Sequence, residues 1–130
     1  MASWNDIADY LRGNFKIHED KGDLLVLLFT LSDDRSQFVG ISLSSSSRSG
    51  EEWVEISSPV GSLGEVDLGK AATIVARYFC GGLVAEGDLV YVRHVAPLIN
   101  LDVNELERPM SVILDAADHV ERELVGGDRF

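Results

Sequence analysis

Three histidines and one cysteine are the side chains of this 130-residue chain best suited to metal ligation or nucleophilic chemistry. His18, His94 and His119 fall on a turn, a strand and a helix, and none has the His-x-x-x-His or Cys-x-x-Cys spacing that aims two ligands at one ion. A nucleophilic thiol needs a neighbouring base or cation to hold its thiolate, whereas Cys80 stands alone at the end of a helical stretch and reads as a buried filler. The pairs Gly81-Gly82 and Gly126-Gly127 follow helical segments, but a phosphate cradle places its glycines before a helix, where backbone N–H groups face the anion. The serine-rich stretch 44–49 lacks the strand–turn–helix setting of a catalytic serine, and Asp33-Asp34 and Glu51-Glu52 lie at turns as solvated charge. These residues predict no catalytic site, no metal and no cofactor.

The bulk properties narrow the partners. The length predicts one domain over 1–130, large enough to form a core without disulfides or metal. Acidic residues number 22 against 11 basic, a net charge of −11 that repels phosphate backbones and anionic membranes. The expectation is therefore no nucleic acid and no membrane partner; the charge maintains solubility, shields a sticky surface or attracts a basic partner. A single cysteine permits no intramolecular disulfide, and Met1–Asp6 shows no basic stretch leading into a long apolar run, so a cytoplasmic protein is expected.

The elements that would position any site are clearer. Leu24–Leu31 is almost wholly apolar between Lys21-Gly22-Asp23 and Ser32-Asp33-Asp34, and it predicts a central strand buried on both faces. Before it, Ser3 caps a short helix with Trp4, Ile7, Ala8 and Leu11 on one side, and Phe15–Ile17 frays onto the first strand. After it, 36–43 alternates as a strand, with Val39, Ile41 and Leu43 on one face and Phe38, Gly40 and Ser42 on the other. Trp53–Ser57 gives another strand, and Ser58-Pro59-Val60-Gly61 breaks the pattern and leads away from the sheet. Asp67 caps a second helix to about Phe79, with a stripe of Leu68, Ala71, Ala72, Val75 and Phe79 widened by Ile74 and Tyr78. So broad a face suits either a helix buried in a small core or one shared with a partner subunit. Gly87-Asp88 joins two further strands, Leu83–Glu86 and Leu89–Val95. Asp102 and Glu105 form a capping box for a final helix, with a kink or restart at Pro109 and an end at Gly126-Gly127. The predicted architecture is α+β, a five-stranded antiparallel sheet in the order α-β-β-β-α-β-β-α.

Large aromatics then remain on elements that already have a core face: Trp4, Phe38 and Trp53, with Arg35 and Arg93 as basic groups on or beside strands. They are either the second covered face of the sheet or an apolar groove rimmed by arginines, suited to an extended peptide or a partner helix. In element order, size, acidity and long final amphipathic helix, residues 3–124 resemble the class I type III secretion chaperones and the YbjN-type proteins that share their fold.

That resemblance implies a non-enzymatic homodimer that holds an extended segment of a client protein without ATP. The client-binding patches would be Trp4, Ile7, Phe38 and Trp53 on the first helix and sheet, and the dimer interface Ile74, Tyr78, Val90 and Val92. No residue names a client, so a YbjN-like chaperone or regulatory role is preferred to dedicated secretion. The rivals are a small-molecule sensor, which needs an enclosed pocket, an enzyme, which needs clustered titratable groups, and a structural subunit of a larger assembly.

Overall fold

The computed structural model describes residues 3–46 and 48–125. Ser47 in the serine-rich loop and the Gly126-Gly127 pair lie outside the described residues. The described residues form an α+β fold: one open antiparallel sheet of six strands with three α-helices on one side. In chain order these are α1 (Trp4–Asn14), β1 (Ile17–Asp20), β2 (Leu24–Thr30), β3 (Ser36–Ser45), β4 (Glu52–Ser62), α2 (Leu68–Val75), β5 (Gly82–Glu86), β6 (Leu89–Pro97) and α3 (Val103–Val120). The strands lie in the order β1-β2-β3-β4-β6-β5, so α2 is set in the connection that carries the chain across β6 to the far edge. No helix among the described residues is long and apolar enough to cross a membrane.

All three helix starts follow from their caps. Ser3 Oγ accepts from Asp6 N at 3.1 Å, Asp67 from Lys70 N at 3.1 Å, and Asp102 and Glu105 complete a reciprocal capping box. The core lies between the helices and the sheet. Leu25 and Leu27, Val39 and Ile41, Val54 and Ile56, and Val90 and Val92 project from four neighbouring strands, and Ile7, Leu11, Leu106 and Ile113 meet them from α1 and α3.

Five expectations change. The sheet has six strands rather than five, because Ile17–Asp20 pairs with β2 as a strand of its own instead of fraying. The central strand is covered on one face only: Leu25 and Leu27 are buried, while Leu24, Val26 and Leu28 are half-buried on the side without helices. β4 does not leave the sheet at Ser58 but continues to Ser62 beside β6, with the register shifting between Pro59 and Gly61. α2 ends at Val75 in i→i+3 turns, Arg77 N to Ile74 O and Tyr78 N to Val75 O, so its inner stripe is Ala71, Ile74 and Val75, with Tyr78 packed beside it, and Phe79 projects fully into solvent. α3 runs unbroken through Pro109, since apolar residues packed on both sides of it outweigh one missing backbone donor.

Candidate functional site: the open face of the sheet

The uncovered face is built by the residues that alternate with the core positions. Cross-strand register sorts them into rows running across the sheet. One row is the pair Leu28 and Phe38, continued past the end of the β3–β4 pairing by Pro59, Tyr91 and Val84; the next is Glu19, Val26, Gly40, Ser57 and Arg93; the third is Leu24, Ser42, Glu55 and Val95. Gly40 and Ser57 leave the middle row low, between the apolar wall of the first row and the more polar third. The result is a trough of about 500 Å³ that crosses all six strands. A β-bulge between Ile17 and Glu19 brings His18 to the same face, where its ring lies 4.7 Å from that of Phe38.

A polar pin beneath the wall fixes its shape. Pro59 lies two residues past Ser57, the last β4 residue paired with β3, and has no N–H to extend that ladder. Ser58 Oγ donates to Phe38 O at 2.5 Å in its place, and Gln37 Nε2 donates to Ser58 Oγ and to Pro59 O, each at 2.8 Å. Gln37 and Ser58 are fully buried, so these bonds form where water cannot compete. At the far end Arg93 Nη2 donates to Glu86 Oε2 at 2.7 Å, and its guanidinium carbon lies 6.0 Å from the Tyr91 ring centre. Arg93 Nε is buried with no partner among the described residues.

No family model, curated protein or solved structure matches the chain. Its function is therefore argued from its own geometry.

The residues expected to bind a peptide are divided by this arrangement. Phe38, Trp53 and Arg93 share the open face. Trp4 lies on α1, packs against the core and donates through Nε1 to Gly22 O at 2.7 Å, and Ile7 is fully buried under the same helix. Arg35 points the other way, toward α3. It makes two bonds to Asp118, at 3.1 and 2.9 Å, and one to Asp33 at 3.3 Å, while Arg122 reaches Asp118 at 3.1 Å. This cluster ties β3 to α3. Of the residues assigned to a dimer interface, Val90 and Val92 are completely buried in the protomer's own core and Ile74 nearly so. Tyr78 is half-buried, with its hydroxyl 2.8 Å from His119 Nδ1. Those side chains are already occupied within one protomer. The outward side of this region carries Leu68 and Phe79 instead.

The three histidines and the cysteine do not converge. His18 faces the trough, His94 is paired opposite the inward Ile56, and His119 lies on α3 with Nε2 2.8 Å from Glu123 Oε1. Burial pushes the Cys80 thiol up and the His94 imidazole down, so neither holds its charged form more readily than in water. Asp115 is raised by burial and by the nearby Asp118 carboxylate. Among the described residues no group of three or more His, Cys, Asp or Glu side chains is placed to hold a metal. Sequence reasoning missed Gln37, Ser58 and Pro59. The available signal was Pro59 itself, since a proline inside a strand has no N–H for the neighbouring strand and a nearby side chain must donate instead.

Proposed function

We propose that this protein is a non-enzymatic, chaperone-like or regulatory binding protein that holds an extended segment of a client polypeptide on the open face of its sheet, and that it works as a homodimer of the class I chaperone or YbjN type. One observation carries the reading: a sheet of six strands leaves a whole face without helices, and that face bears a trough with an apolar wall. Exposed apolar surface on a folded domain supports a binding role. An extended chain suits it better than a compact small molecule, because the trough is long and open along its length.

The homodimer in this proposal uses a different surface from Val90 and Val92. Phe79 is the most exposed large apolar side chain among the described residues, and Leu68 projects from the same helical region. The proposal is tested by anisotropy of dye-labelled extended peptides against the protein and its Phe38→Ser variant, with light scattering for mass. Micromolar binding that weakens at least ~10-fold in Phe38→Ser supports the reading. Binding unchanged by Phe38→Ser places the client elsewhere and contradicts it. A species of twice 14.2 kDa that Phe79→Ser dissociates supports the dimer, and a monomer at all concentrations contradicts that part.

A further inference from the structure

The chemistry of the occupant can be taken further, on the basis of the open-face reading above. Three carboxylates line the trough, Glu19, Glu55 and Glu86, against one guanidinium, Arg93, which leaves a net charge of −2. They are not equally free. Glu86 is bound by Arg93 at 2.7 Å, and Glu19 lies 3.5 Å from Lys21 with both side chains largely in water. Glu55 has no ion-pair partner among the described residues, and its cross-strand neighbours are Ser42 and Val95, neither of which carries charge. It sits in the third row, facing the apolar wall across the low middle row. The chain's −11 charge adds a field of the same sign.

An extended segment sends successive side chains to opposite sides. Lying in the trough, it presents alternate residues to the apolar wall of Phe38, Pro59 and Tyr91 and the others toward Glu55. We propose that the occupant is an extended polypeptide segment in which lysine or arginine alternates with apolar residues. Six strands are crossed at spacings of ~4.8 Å, so the trough spans roughly 24 Å, the length of about seven extended residues.

The test uses three dye-labelled seven-residue peptides that share alternating leucines and carry lysine, glutamine or glutamate between them. Each is titrated by anisotropy into the full chain, its Glu55→Gln and its Glu55→Lys variants, at low and high salt. Circular dichroism checks that each variant is folded. The lysine peptide is expected to bind at least ~10-fold tighter than the glutamate peptide at low salt, with the difference shrinking at high salt. Glu55→Gln narrows that preference and Glu55→Lys abolishes it. Equal binding of the three peptides, or tighter binding of the glutamate form, overturns the charge rule while leaving the open-face reading intact. A lysine preference that survives unchanged in Glu55→Lys assigns the selectivity to the rest of the acidic surface and also overturns it. If none of the peptides binds up to millimolar concentration, the open-face reading fails, and this inference with it.

Discussion

Replacing Gly40 separates stability from binding at the floor of the trough. Gly40 lies in the middle of β3, paired with Val26 and Ser57, and its backbone is not in the left-handed region. A Cβ built there meets Leu24 Cδ1 and Ser57 Oγ at 3.7 Å and Ser57 O at 3.8 Å, which is ordinary van der Waals contact. Nothing has to move. A glycine inside a strand costs roughly 0.5–1 kcal/mol relative to alanine, because its unfolded chain has more freedom to lose. Gly40→Ala is therefore expected to stabilise the fold by that amount, which in a domain of this size raises Tm by about 2–4 °C. Gly40→Val should keep the fold while placing two further carbons in the trough. An occupant then meets an overpacked floor, and overpacking costs of 1–3 kcal/mol correspond to about 5- to 150-fold weaker binding. Calorimetry gives the first quantity and peptide anisotropy the second. A fall in Tm for Gly40→Ala means that the floor is closed rather than open. Unchanged peptide affinity in a folded Gly40→Val variant means that the trough is not where the client lies. Either result refutes the reasoning.

Other perturbations probe the supports of that face. Gly81→Ala should destabilise the protein by ~2 kcal/mol or more, because Gly81 has φ +100° and an added Cβ would stand 2.7 Å from Ile113 Cδ1 and 3.2 Å from Val92 Cγ1; the urea midpoint measures this. Asp118→Ala removes the buried carboxylate shared by Arg35 and Arg122 and should cost about 3 kcal/mol by the same measurement, whereas it leaves the trough residues untouched. His94 is held below its ordinary pKa of 6.5 by burial, so as pH falls through about 6.5 the unfolded chain takes up its proton first and stability declines until the folded pKa is passed. Urea midpoints at pH 7.5 and 5.5 should show this loss, and His94→Leu should reduce it.

What the sequence made legible was the local grammar. Ser3, Asp67 and Asp102 declared the helix starts, because a capping side chain acts within four residues. The alternation of Val39 and Ile41 with Phe38 and Gly40 declared the two faces of β3. The failures came where a residue's fate depends on distant packing. Leu24, Val26 and Leu28 are as apolar as Leu25 and Leu27, so composition alone put both faces of β2 inside; which face is covered depends on where α1 and α3 land. Pro59 looked like the end of β4, and a buried hydroxyl from Ser58 with an amide from Gln37 across the ladder kept it in the sheet. Phe79 looked like the continuation of an apolar stripe, but the chain had to leave α2 early to reach Gly81 under Ile113. Phe38, Trp53 and Arg93 fall on one face because they alternate with core residues on their own strands. Trp4 and Arg35 were singled out by residue type and Ile7 by the resemblance, and neither carries information about the side of a sheet.

The most direct test of the central claim is a map of amide chemical shifts in the isotopically labelled protein as an extended apolar–basic peptide is added. Perturbations are expected to cluster across the strands at Val26, Phe38, Gly40, Ser57 and Arg93, with α1 and α3 largely unmoved. Perturbations concentrated on α1 and α3, or none at saturating peptide, would contradict it.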